Sequence, residues 1–158
     1  MKIKEISKDE ISIIKPLWES LNAHHQSKST HFKDYFSTFT FEKRIEGLMS
    51  RERLIAYVAE DRGEDVGYCI AKVDGLSGEI DSVFVSEPYR GKRVGEKLIS
   101  HALKWLEAQK CETIRVSIAE GNENVRGFYR KFGFAERLIV MQKKLQGGAG
   151  QQHSRFDH

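Results

Sequence analysis

Polar and apolar residues alternate along Lys2-Ile3-Lys4-Glu5-Ile6, a period of two that predicts a strand at the start of the chain. Ser7-Lys8-Asp9-Glu10 has the form of a capping box, and Ile11, Ile14, Trp18 and Leu21 follow at helical spacing. A first helix is expected there, bent or broken near Lys15, because Pro16 lacks a backbone donor and crowds the preceding turn. Ser27 to Thr40 shows no clear period and reads as a loop, after which Phe41, Ile45, Leu48 and Met49 predict a second short helix. Strand-like runs cover Leu54 to Glu60 and Val66 to Val73, joined by Asp61-Arg62-Gly63-Glu64 as a hairpin turn. A second turn at Asp74 to Gly78 leads into a third strand of this meander, Glu79 to Val85. Val94, Leu98, Ala102, Trp105 and Leu106 then mark a long amphipathic helix, followed by a strand from Thr113 to Ile118. Val125, Phe128, Tyr129 and Phe132 predict a last helix stopped by Gly133, and Leu138 to Lys143 a last strand.

The resulting order is β-α-α-β-β-β-α-β-α-β, an α/β (α+β) pattern with a mixed, mostly antiparallel sheet flanked by helices. With 158 residues, 39% of them hydrophobic, the chain can bury one substantial core, expected over residues 1–145. Residues 146–158, with Gly147-Gly148-Ala149-Gly150 and two glutamines, read as a flexible tail. A formal charge of +3 permits an anionic ligand without calling for nucleic acid. Cys69 and Cys111 stand far apart, and no apolar run approaches the roughly 18 residues of a membrane span, so a reducing cytoplasm is the expected location. His24, His25 and His31 lack companions at metal-ligand spacing, and no metal is expected.

The most informative segment lies between the third meander strand and the long helix. Arg90-Gly91-Lys92-Arg93-Val94-Gly95 sets three cations at a helix start, where unpaired backbone N–H groups and the positive end of the helix dipole favour a phosphate. By itself such a turn is more often a solvated connection. This stretch, however, resembles the signature of the GNAT superfamily of N-acetyltransferases: Arg or Gln, two residues, Gly, one residue, Gly or Ala, after a hydrophobic strand end. Arg90 and Gly95 fit the outer positions, and Arg93 stands where glycine is usual. Helical backbone angles would not demand glycine there, which leaves an outward Arg93 compatible with binding. Asn122-Glu123-Asn124-Val125-Arg126-Gly127-Phe128-Tyr129, ending in Gly133-Phe134, is similar to the second motif of the family, and the element order follows the family over roughly residues 2 to 145.

The resemblance implies acetyl-coenzyme A as co-substrate, its pyrophosphate on Arg90 to Gly95, its amide groups near Asn122, and its pantetheine arm along Val83, Phe84 and Val85. It also implies that the third meander strand carries a bulge and parts from its neighbour there, that a backbone N–H near Val83 receives the oxyanion, and that Tyr129 protonates the leaving thiolate. The acceptor is an amine of a small molecule or protein, and a homodimer is compatible with this reading. A noncatalytic acyl-coenzyme A sensor, keeping the turn without turnover, is the alternative. Phe32, Tyr35, Phe36 and Phe39 either line an acceptor pocket or cover the core.

A lysine-like acceptor is neutral at pH 7 in only about one part in 2,500, a deficit of roughly 4.6 kcal/mol, so a base is needed. By strand alternation Glu79, Asp81, Val83 and Val85 share a face, which puts two carboxylates just upstream of the thioester position. Either can act through water, with Asp81 favoured as the nearer to the strand end. The same pattern also fits two solvated carboxylates.

Overall fold

The computed structural model describes residues 1–51 and 53–145. The expected tail, 146–158, lies outside the described residues. The described residues form two compact units, one of Met1–Leu21 with Thr40–Val116, the other of Asn22–Phe39 with residues 117–145.

The first unit is built on a five-stranded sheet in the order β1-β2-β3-β4-β5: β1 is Lys2–Ile6, β2 Arg53–Asp61, β3 Glu64–Asp74, β4 Ser77–Val85 and β5 Thr113–Val116. The first three pairings are antiparallel and the last is parallel, as the expected mixed sheet requires. The hairpin between β2 and β3 turns on Arg62 and Gly63, both at positive φ (54° and 81°), the twist that suits a two-residue connection. The helix α4, Val94–Ala108, buries Val94, Leu98, Ile99, Ala102 and Leu106, the four larger side chains each contributing about 1.5–3 kcal/mol of apolar burial as an upper estimate. It lies on the face that carries Gly67 and Gly78. A Cβ at Gly67 would stand 3.2 Å from Leu98 Cδ1, and one at Gly78 2.9 Å from Leu106 Cδ2, so both glycines let the helix approach closely where a Cβ would make those leucines shift.

At the N-terminus the expected break falls where Pro16 puts it. A 3₁₀ helix over Lys8–Ile14 gives way to α1, Lys15–Lys28, with Pro16 in the first turn where its missing donor costs nothing. The capping box does not form: Ser7 Oγ donates to the Glu10 carboxylate at 3.1 Å, with no side-chain cap on the helix. Further on, α3 (Phe41–Met49) is capped by Thr40 Oγ1, which accepts from Lys43 N–H at 3.2 Å.

The second unit differs more from expectation. The stretch read as a loop contains a short helix, α2 (Lys33–Thr38), whose Tyr35 and Phe36 pack with Ala119 and the partly buried Phe32 and Phe39. These aromatics are the core of their own unit. The last helix is a 3₁₀ turn followed by α5, Arg126–Arg130. No strand is present over Leu138 to Lys143 among the described residues. Ile139 and Met141 are 90% and 92% exposed, so this β-prone run lacks the hydrogen-bonded partner and the covering layer that make a strand.

Candidate active site

The geometry of the site begins with one extra residue in β4. Ala71 of β3 faces Ile80, but Ile70 faces Ser82, so Asp81 is the unmatched residue of a bulge. The bulge breaks strict alternation. Glu79 stands opposite Lys72, and Val83 opposite Cys69, so Val83 and Val85 share the α4 face and Glu79 the other. The expectation of a single face for Glu79, Asp81, Val83 and Val85 is therefore corrected, because a simple period of two cannot cross an inserted residue.

Beyond the bulge the sheet opens. The β4–β5 pairing covers Ser77–Ile80 against Thr113–Val116 and goes no further. Ser86 N–H donates to Val66 O of β3 at 2.8 Å. By alternation, Val83 and Val85 then turn their backbone groups toward the side β5 has left. On that side Val85 O already accepts from Arg90 Nε at 2.8 Å, while the Arg90 guanidinium lies 5.4 Å from the Phe84 ring centroid. Arg90 thus ties the basic turn to the strand end.

The turn itself is left-handed twice. Gly91 has φ +77° with open space where a Cβ would stand, and Arg93, the residue preceding α4, has φ +63° and ψ +19°. Position 93 does demand the conformation that glycine adopts freely, contrary to the expectation of helical angles there. Val94 and Gly95, next in the chain, have no helical acceptor for their N–H groups, and Lys97 N–H donates to Arg93 O. Arg90, Gly91, Lys92 and Arg93 are exposed, and Lys92 Nζ lies 5.5 Å from the Tyr89 ring centroid. The turn offers an anion two backbone N–H groups, the positive end of a helix dipole and three exposed cations.

Behind the opening lies a buried charge cluster. Asp81 pairs with Arg44 of α3 in a short hydrogen-bonded contact and stands 3.2 Å from Lys72 Nζ, with only 2% of its side chain exposed. Glu79 is equally enclosed and accepts from Arg115 Nε of β5 at 3.2 Å. Burial pushes the Glu79 carboxyl above its ordinary range, and Asp81 adds to the rise, while Lys72 and Arg115 oppose it. Lys72 Nζ is buried without a hydrogen-bond acceptor, its contact with Asp81 being an ion pair off hydrogen-bond geometry.

Arg44, Lys72 and Arg115 were not legible as site residues. Arg44 falls on the buried stripe of α3 with Phe41 and Leu48, and Lys72 falls within the apolar run of β3. A cation on an apolar stripe needs a buried anion, which is the signal that would have found both.

In the second unit, Tyr129 is 6% exposed, with the rings of Phe128 and Phe134 at 5.2 and 5.8 Å between centroids. Asn122 begins the turn into α5, its N–H donating to Ala119 O and its carbonyl accepting from Val125 N–H. Glu120 organises the segment after α1: one carboxylate oxygen accepts from Thr30 and His31 N–H at 2.9 and 2.8 Å. Burial alone would raise the Glu120 carboxyl, but these backbone donors and the Ser29 hydroxyl outweigh it and hold it low. His25 packs 5.4 Å from the Phe36 ring, and burial, with His24 beside it, pushes its imidazole down to about 4. Among the described residues no group of His, Cys, Asp and Glu could hold a metal ion.

Residues 16–134 match the acetyltransferase (GNAT) family. An uncharacterised N-acetyltransferase of Methanocaldococcus jannaschii is 25% identical over 125 residues, covering 70% of this chain and 55% of that protein, so the match spans little more than half of the relative. An acetyltransferase of Yersinia pestis is 30% identical over 105 residues, covering 66% of this chain and 74% of its own length. An aminoglycoside N-acetyltransferase, solved in complex with coenzyme A, superposes with a TM-score of 0.59 at 17% identity, covering 91% of this chain and all (100%) of that one. A bulged and parted β4, the left-handed turn into α4 and a match over most of the chain agree with one another, and the chain belongs to the GNAT family of acetyltransferases.

Proposed function

We propose that the protein transfers the acetyl group of acetyl-coenzyme A directly to a primary amine, the activity of its family, with Glu79 as the base. The observation that carries this reading is the bulge at Asp81. It parts β4 from β5 beside a buried carboxylate and leads into the phosphate-shaped turn at Arg90 to Gly95.

In this reading Val94 and Gly95 N–H, with Arg90, Lys92 and Arg93, hold the pyrophosphate, and the outward backbone groups of Val83 and Val85 align the pantetheine arm. Val85 O is shared with Arg90, so the arm depends chiefly on Val83. When bound, the thioester supplies the activated acetyl group, and Val83 N–H is aimed at the oxygen that gains charge as the amine attacks. Glu79 takes the ammonium proton through water. Its raised proton affinity narrows the gap to an amine near 10.4, and base catalysis of about 100- to 10,000-fold matches the deficit of roughly 4.6 kcal/mol. Asp81, committed to Arg44 and Lys72, is the poorer base despite lying nearer the strand end. By the family motif, Asn122 bonds the amide groups of the arm and Tyr129 hydroxyl protonates the departing thiolate.

The acceptor is an amine, as it is for the aminoglycoside N-acetyltransferase among its structural neighbours. No helix among the described residues is long and apolar enough to cross a membrane, and the free thiols of Cys69 and Cys111 suit a reducing cytoplasm. A thiol-release screen with acetyl-coenzyme A over aminoglycosides, polyamines, amino acids and peptide N-termini tests the activity and its acceptor together. Release above the hydrolysis background with one class supports the reading. Tight coenzyme A binding in calorimetry with no release from any class would point instead to an acyl-coenzyme A sensor.

A further inference from the structure

The buried cluster holds more charge than a single base requires. Five ionisable side chains converge on the β4 bulge from four elements: Lys72 of β3, Glu79 and Asp81 of β4, Arg115 of β5 and Arg44 of α3. Lys72 stands directly across from Glu79 in the β3–β4 register and also lies 3.2 Å from Asp81. Its ammonium has no hydrogen-bond acceptor, so it acts on its neighbours through its field. Arg44 reaches in from a helix to grip Asp81, the residue that the bulge turns out of the ladder.

We infer that Lys72, Asp81 and Arg44 are positioning residues that set the proton affinity of Glu79: Asp81, gripped by Arg44, keeps the proton on Glu79, and Lys72 is the counterweight that lets it leave. This rests on Glu79 being the base. A plain structural ion pair would be served by Arg44 and Asp81 alone. A cation opposite Glu79 and an anion two residues along, both buried beside it, act on its carboxyl with opposite signs. Burial provides the upward push to which the two charges are applied. Arg115 adds a second cation from β5, but 43% of its side chain is exposed, so solvent screens it more than Lys72. Tyr68, fully buried on the Lys72 face, donates its hydroxyl to Ser82 Oγ at 3.0 Å, and its own ionisation is pushed far above the working range.

The signature is a pair of opposite displacements. Removing the cation with Lys72→Met raises the Glu79 midpoint by about one unit, and removing the anion with Asp81→Asn lowers it by a similar amount, because Lys72 and Arg44 then act unopposed. Lys72→Arg keeps the charge and leaves the midpoint near that of the parent. The measurement is a carbon NMR titration of the Glu79 carboxyl in each full-length variant without ligand, read beside the acidic limb of kcat/KM against pH. Displacements of the same sign, or no displacement in either variant, would overturn the inference. Where Asp81→Asn fails to fold, Lys72→Met and Lys72→Arg decide it: equal midpoints in the two variants refute the field of Lys72. Midpoints that move as stated while the kinetic limb stays still would uphold the electrostatic coupling and remove Glu79 from catalysis.

Discussion

Arg93→Gly separates two contributions of one residue. Arg93 holds φ +63° immediately before α4, a conformation that costs a residue with a Cβ about 1–2 kcal/mol and glycine almost nothing. Glycine in turn loses about 0.4–1 kcal/mol through the greater freedom of its unfolded chain. Arg93 is exposed and its side chain makes no cap, so little packing offsets the difference. The balance favours the variant by about 0.5–1 kcal/mol, which for a chain of this size raises the midpoint of thermal unfolding by about 1–4 °C. The same substitution removes a cation from the turn, and a single exposed ion contact is worth up to about 1 kcal/mol, or about fivefold in affinity. Coenzyme A should therefore bind the variant up to about fivefold more weakly at low ionic strength, and about equally in 0.5 M salt, where screening is short-ranged. Differential scanning calorimetry without ligand and titration calorimetry at two salt concentrations read the two effects independently. A lower midpoint would refute the strain at position 93, and tighter binding at low salt would show the side chain crowding the phosphates.

Three further substitutions probe other parts of the chain. Tyr129→Phe should lower kcat about 100-fold or more while the dissociation constant for coenzyme A changes less than about twofold, and an unchanged kcat removes its hydroxyl from the reaction. Gly121 has φ +90° and would place a Cβ 2.1 Å from Lys28 O, so Gly121→Ala should cost about 2–5 kcal/mol in urea denaturation, and a cost below about 1 kcal/mol would refute that contact. His25, held neutral in the fold down to about pH 4 against an ordinary 6.5, leaves the unfolded chain with the extra proton between those values, so its share of stability falls as pH falls. Relative to His25→Phe, the parent should lose about 1.4 kcal/mol per pH unit across that window, measured as the difference between their urea midpoints converted to free energy, and parallel curves would refute it.

The sequence carried the fold wherever local and long-range signals agreed. The hairpin at Arg62-Gly63 and the stripe of α4 were readable because turn chemistry and period each point to one answer. The bulge was not readable from period, since one inserted residue looks like ordinary alternation until the partner strand is known; it entered only through the resemblance. Arg44 and Lys72 were hidden for a related reason. Each occupies a position that its own element marks as apolar, and carboxylates on another element, Asp81 beside both and Glu79 across from Lys72, make burial of the charges affordable. Arg93 shows the limit from the other side: the departure from glycine was visible, but its left-handed backbone was not. The run from Leu138 to Met141 has the composition of a strand and none of its partners, a reminder that β-propensity describes a surface awaiting a neighbour.

The bulge also gives β4 something like a reading frame. On either side of Asp81 the ladder with β3 is regular, Ile80 against Ala71 and Ser82 against Ile70, and those two partners are consecutive. Loss of residue 81 would close the gap and leave every other β4 side chain on its present face, whereas loss of a residue elsewhere between Gly78 and Phe84 would invert the stretch between that point and the bulge. Insertions and deletions in this strand are thus not equivalent. A variant lacking Asp81 would retain the ladder while losing the gap beside β5, which separates the architecture of the sheet from the aperture it was bent to make.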